Sequence, residues 1–168
     1  MIARIAETLT PERAELCIHE WFEIQALRNP NVVALIFEDS QLTYRELNTR
    51  ANQLAHRLRS LGVGPDALVG VFMERSLEMV IALYGILKAG GAYVPLDPEY
   101  PHERLSFMIT DAQISLLLTQ KQLLDSLPDE RPAIVIALDD EGEGLANESV
   151  ENPVTLVSEQ NLAYCIYT

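Results

Sequence analysis

Apolar positions along the chain change period from stretch to stretch, and each period predicts an element. Cys17 to Arg28 sets Ile18, Trp21, Phe22 and Leu27 near one helical face, and Asn29-Pro30 ends that helix. Val32 to Phe37 is an apolar strand, Glu38-Asp39-Ser40 turns the chain, and Gln41-Leu42-Thr43 returns as a hairpin arm. Leu47, Ala51, Leu54, Ala55, Leu58 and Leu61 then recur at helical spacing. Thr43 and Glu46 stand three apart at the head of this helix, so each side chain can satisfy an amide of the other. Gly62 suits the position just past the helix end, and Gly64-Pro65-Asp66 turns into a strand, Leu68 to Phe72.

The stretch Ser76 to Pro101 organises the rest. Ser76 is a natural N-cap, with Glu78 beside the positive helix end. Met79, Val80, Leu83, Ile86 and Leu87 predict the buried face, and Lys88 closes the helix. Gly90-Gly91 supplies a residue free to take positive φ. Ala92 to Pro95 is a short strand. Pro95 has no N–H to donate, so the strand must stop there or lie at a sheet edge. Asp97-Pro98-Glu99 is a stiff turn, and Pro101 opens a helix to about Ala112 carrying Leu105, Phe107, Met108 and Ile109. Ile114 to Thr119 is an apolar strand covered on both faces, Gln120 to Leu127 a short helix, and Ala133 to Leu138 another strand. Asp139 to Pro153 reads as a surface loop, Ser158 to Asn161 as a turn, and Leu162 to Thr168 as a final strand. The alternation predicts an α/β fold: a layered, largely parallel sheet with flanking helices, holding the Leu68, Ala92, Ile114 and Ala133 strands together. Residues 1–16 have weak periodicity and read as a linker, which leaves 17–168 as the folded domain.

Composition narrows the functional classes. A net charge of −13 argues against a nucleic-acid partner. No apolar run approaches the roughly 18 residues of a membrane span, and the first sixteen residues are too charged for a secretory core, which predicts a cytoplasmic protein without a membrane partner. Cys17 and Cys165 lack metal spacing and read as free buried thiols. Ten of the twelve basic residues are arginine, leaving Lys88 and Lys121 as the lysines.

The candidate chemistry is sparse. Gly62-Val63-Gly64-Pro65-Asp66-Ala67 has the letters of a dinucleotide loop but follows a helix and precedes a strand, the reverse of what pyrophosphate binding needs. His19, His56 and His102 stand apart and read as structural. Asp97 and Glu99 read as turn residues, and the run from Asp139 to Glu143 lacks calcium-loop spacing. Functional loops in α/β proteins follow the carboxyl ends of strands, and Thr168 stands at such a place.

Three motifs nevertheless resemble one family. Leu42-Thr43-Tyr44-Arg45-Glu46-Leu47, Leu87-Lys88-Ala89-Gly90-Gly91-Ala92-Tyr93-Val94-Pro95-Leu96-Asp97, and Leu162-Ala163-Tyr164-Cys165-Ile166-Tyr167-Thr168 are similar to the first two motifs and the run-in to the third of nonribosomal-peptide-synthetase adenylation domains. Leu96 stands where isoleucine is common. The resemblance covers about Cys17 to Thr168 and implies the N-terminal part of the large subdomain of an adenylate-forming enzyme. It implies ATP with magnesium, an amino-acid substrate, and loading as a thioester on the phosphopantetheine arm of a carrier domain. Carrier and condensation domains and the remainder of the adenylation domain would share the polypeptide. In the family the third motif runs on into a phosphate loop, so Thr168 is the residue carried over as a nucleotide contact. Neither Lys88 nor Lys121 matches the family's catalytic lysine, and no catalytic or metal residue is carried over, so residues 1–168 alone are expected to be inactive. Rival readings are an acyl- or aryl-acid ligase acting with coenzyme A, which the AYVPLDP stretch disfavours, and a non-catalytic interaction module.

Overall fold

In the computed structural model, which describes residues 16–140 and 142–168, four strands form one parallel sheet. They are β3 (Leu68–Phe72), β4 (Ala92–Pro95), β5 (Leu116–Thr119) and β6 (Ile134–Ala137), in the order β4-β3-β5-β6. Each pair is parallel and in continuous register, with Gly70 opposite both Val94 and Leu117. A separate antiparallel hairpin joins β1 (Val33–Phe37) to β2 (Ser40–Thr43). The hairpin and the four strands of the parallel sheet therefore follow the sequence pattern.

Side-chain alternation gives the sheet two apolar faces. Val69, Val71, Leu116, Leu118 and Ile136 meet α2 (Tyr44–Ser60) and α3 (Leu77–Ala89) on one side. Phe72, Val94 and Leu117 meet Leu105, Met108 and Ile109 of α4 (His102–Asp111) on the other. Both faces are covered, so β5 is buried along its whole length. Thr43 caps α2 as the spacing requires: its hydroxyl accepts from the Glu46 amide at 3.2 Å and its own amide donates to the Glu46 carboxylate at 2.8 Å. Ser76 caps α3 through the Met79 amide, and Gly90 ends it at φ +98°.

Several expectations are corrected. In α1 (Ile18–Arg28) the buried stripe is His19, Phe22 and Ala26, whereas Ile18, Trp21 and Leu27 face outward. Ile18 and Leu27 are nine residues apart and so stand about half a turn round the helix from each other. The buried arc between them, Phe22, Ala26 and His19, also carries Glu23, which answers a buried lysine of α3. The deepest face of α3 is Ile81, Ala82, Gly85, Ile86 and Ala89, with Met79, Val80 and Leu83 only half-buried. The cause is close packing against α2: a Cβ on Gly85 would stand 2.6 Å from Leu54 Cδ2. Phe107 on α4 is exposed. The Gln120–Leu127 helix is a 3₁₀ helix, Lys121–Ser126, and the Asp139–Pro153 loop contains a short helix, α5 (Gly142–Ala146). Cys17 and Cys165 are free but only half-buried. The expected linker, apart from Leu16, lies outside the described residues.

The expected final strand is reduced to one rung. Tyr164 bridges Tyr93 in parallel: the Tyr93 amide donates to Ala163 O at 3.2 Å and the Cys165 amide to Tyr93 O at 3.0 Å. The next donor on that edge of β4 is Pro95, which has no N–H, so the ladder ends.

Gly91 tests this packing. A Cβ there would lie 2.8 Å from Val63 Cγ1 and 3.0 Å from Ala67 O, with backbone that cannot step aside. Gly91→Val is expected to destabilise the intact protein by about 1–3 kcal/mol through overpacking, measured by urea unfolding, while an unchanged midpoint would contradict this placement.

Candidate functional site

Chemistry in a parallel sheet gathers at the carboxyl ends of its strands, above all where successive connections leave for opposite faces. Here that switch lies between β3, which leads to α3, and β5, which leads to the 3₁₀ helix on the other face. The gap is bridged by the protein itself. Gln120 Oε1 accepts from the Glu74 amide at 2.8 Å, and Gln122 Nε2 donates to Glu74 Oε2 at 2.9 Å. Asp139 receives the Lys121 amide at 2.7 Å, and Lys121 Nζ pairs with Asp140 at 2.7 Å. The acidic run thus closes a loop onto the 3₁₀ helix. A recess of about 250 Å³ beyond β6 has Arg50 and Glu78 above Ile81, Leu138 and Leu145, and offers no nucleophile.

Thr168 is placed elsewhere. It is exposed and ends the extended segment that runs beside β4 in the same direction, so it lies toward the carboxyl ends of the strands but two strands away from the β3/β5 switch. Side chains hold this segment. Asp66 accepts the Leu162 amide at 2.8 Å and Asn161 Nδ2 at 3.0 Å. Tyr93 and Tyr164 rings lie 5.7 Å apart, and Tyr167 Oη donates to Asp111 Oδ2 at 2.6 Å. Asp97 is a turn residue, accepting the Glu99 amide at 2.9 Å.

Both lysines are engaged. Lys88 has no solvent exposure; its ammonium pairs with Glu23 and reaches Asn152 Oδ1 at 3.3 Å. Burial pushes its pKa down, and Glu23 pulls it part of the way back. Asn152 Oδ1 also accepts from Asn48 Nδ2 at 3.0 Å and Asn52 Nδ2 at 2.9 Å. This hub was missed by the sequence reading, although a lone lysine inside an apolar helix was the available signal. His56 Nε2 meets Glu151 O at 2.9 Å beside the hub, and His19 is buried near it, so these histidines are structural. Among the described residues no three His, Cys, Asp or Glu side chains converge, so they make no cage for magnesium. No helix among them is long and apolar enough to cross a membrane.

Comparison with known proteins gives one consistent result. A family model described as AMP-binding enzyme matches residues 22–168. The chain is 53% identical over 162 residues to a linear gramicidin synthase component of Brevibacillus parabrevis, and 41% identical over 168 residues to tyrocidine synthase 3 of the same organism. These alignments cover 96% and 100% of the chain but only 2% of the length of each relative. Among solved structures, the nonribosomal peptide synthetase FmoA3 in its α-methyl-L-serine-AMP-bound form matches with a TM-score of 0.86 and 34% identity, covering 95% of this chain and 18% of that one.

His19 provides a pH test of the hub's surroundings. Burial holds its pKa below 6.5, outweighing the upward pull of Glu23 and Glu20. As pH drops below 6.5 the unfolded chain takes up a proton that the folded protein resists, so stability falls with acidification. Between about pH 7.5 and about pH 5.5 the melting temperature of wild type should fall more than that of His19→Gln; parallel curves would refute the buried neutral imidazole.

Proposed function

The chain belongs to the AMP-binding enzymes, in the branch of nonribosomal-peptide-synthetase adenylation domains, and from that membership we propose that it serves the activation of an amino acid with ATP. The substrate carboxylate oxygen attacks the α-phosphorus, forming the acyl–phosphate bond as the α–β phosphoanhydride breaks and pyrophosphate leaves. The thiol of a carrier domain's phosphopantetheine arm then attacks the acyl carbonyl and releases AMP. The observation that carries this reading is the likeness, at 34% identity over nearly the whole chain, to a synthetase that holds an aminoacyl-AMP. Carrier and condensation domains are its partners in this reading, which the far longer peptide synthases similar to the chain support.

Within this reading Thr168 donates its hydroxyl to a phosphate oxygen of the nucleotide. Its exposure and the direction of the segment before it support that role. Lys88 and Lys121 contribute no catalytic charge, because the first is buried against Glu23 and the second pairs with Asp140. Magnesium enters no step derived from these residues.

Amino-acid-dependent ATP–pyrophosphate exchange by the full-length protein is the test. One amino acid should support exchange, and residues 1–168 alone should support none. A hydrogen bond to a charged group contributes roughly 1.5–3 kcal/mol, and each ~1.4 kcal/mol is tenfold, so Thr168→Ala is expected to lose about ten- to a hundred-fold. Exchange with acyl or aryl acids and with no amino acid would overturn the substrate class, and wild-type rates in Thr168→Ala would overturn the contact.

A further inference from the structure

The segment carrying Thr168 has less backbone support than a sheet strand. Its hydrogen bonds to β4 stop at the Tyr93–Tyr164 rung, because Pro95 removes the next donor. The three residues after Cys165 then depend on side chains. Within this stretch alternate residues face the protein: Cys165 and Tyr167 pack on the α4 side of the core, whereas Tyr164, Ile166 and Thr168 face outward. Tyr167 is therefore the last inward-facing residue before Thr168. Its hydroxyl donates to Asp111 Oδ2 at 2.6 Å, a charge-assisted bond of the short, strong kind. That bond pushes the phenol's pKa up to about 12, so Tyr167 remains the donor at working pH. Phe107, one turn earlier on α4, sets its ring at 83° to the Tyr167 ring with centroids 6.2 Å apart, which explains an otherwise exposed aromatic. Leu105, Met108 and Ile109 bury α4 against the sheet, so Asp111 is presented from a fixed helix.

We propose that Asp111 is a positioning residue for Thr168, acting through the Tyr167 hydroxyl. The bond replaces the ladder rung that Pro95 cannot provide and fixes the backbone entering the phosphate contact. Asp66 anchors the other end of the same segment through the Leu162 amide and the Asn161 side chain. Asp111 and Asp66 thus bracket the single rung, and Thr168 follows directly from the outer bracket. The assignment rests on the reading of Thr168 as a nucleotide contact.

The test uses the full-length protein and its Tyr167→Phe, Asp111→Ala, Asp111→Asn and Tyr167→Phe/Asp111→Ala variants. Two readouts are taken: kcat and KM for ATP and amino acid in pyrophosphate exchange, and amide hydrogen exchange across residues 162–168. Tyr167→Phe and Asp111→Ala should each raise the KM for ATP about tenfold and leave the KM for the amino acid within about twofold. The double variant should be no worse than either single, as expected of two partners in one bond. Asp111→Asn keeps an acceptor oxygen and should stay within about threefold of wild type. Amides of residues 165–168 should exchange at least about tenfold faster in Tyr167→Phe. A wild-type KM for ATP in folded Tyr167→Phe, an Asp111→Asn as impaired as Asp111→Ala, or unchanged amide exchange would each overturn the proposal. If wild type exchanges pyrophosphate with no amino acid, the functional reading fails, and the amide comparison still decides whether Asp111 holds the segment.

Discussion

A buried ammonium sets the terms for this half of the structure. Lys88 sits in the last turn of α3 with no exposure to water, so its charge must be answered from inside. Glu23 comes from α1, and Asn152 comes from the stretch that returns after α5. Asn152 Oδ1 receives Asn48 and Asn52 as well, and Asn52 also holds Val150 O at 2.7 Å. Three helices and a returning segment are tied at one point. Phe22 completes the enclosure, stacking on Tyr84 at 4.1 Å with Lys88 Nζ 5.9 Å from its ring centre. Such a pair adds little net stability over an apolar replacement, but breaking it strands a charge. The buried Oδ1 atoms of Asn48 and Asn52 have no protein partner, so geometric specification rather than full polar satisfaction is what the hub provides.

The hub and the exposed end of the chain belong to one route. From Asn152 the backbone runs outward through exposed Val154 and Leu156, turns at Ser158–Asn161, meets Asp66 and docks beside β4. The hub fixes where the route begins, and Asp66, Tyr93 and Asp111 fix where it ends. The parallel sheet supplies the direction, since a segment parallel to β4 must arrive at the carboxyl ends of the strands. The segment is thus held to the α/β layer by side-chain anchors, with Thr168 exposed at its far end.

What could be read from the sequence was mostly local. The Thr43–Glu46 reciprocal cap, the Ser76 cap and the Gly90 stop are decided within a few residues, and all are seen. The four parallel strands were legible because burial on both faces leaves a near-continuous apolar run. The face of α1 was not, because Ile18 and Leu27, about half a turn apart, flank a buried arc whose polar members His19 and Glu23 make sense only once Lys88 is known to lie behind it. Lysine is ordinarily a surface residue, so the one local hint, a lone lysine on an apolar helix, did not reveal the burial, whose partners Glu23 and Asn152 lie far off in sequence. The last strand failed for a reason written in Pro95, but only the sheet order shows that the missing N–H faces the incoming segment. Thr168 is a candidate from its motif alone; the geometry adds its exposure and its neighbour's bond to Asp111.

The dependence on the Lys88 pair is tested most directly by a double-mutant cycle with Lys88→Met and Glu23→Leu, read by urea unfolding of the intact protein. Glu23 keeps 19% side-chain exposure and Lys88 has none, so the stranded lysine is the costlier orphan. Glu23→Leu should cost about 3–5 kcal/mol and Lys88→Met less, while the double variant should be more stable than Glu23→Leu alone. Additive costs, with a coupling energy below about 0.5 kcal/mol, would contradict the claim that this buried charge pair ties the helices together.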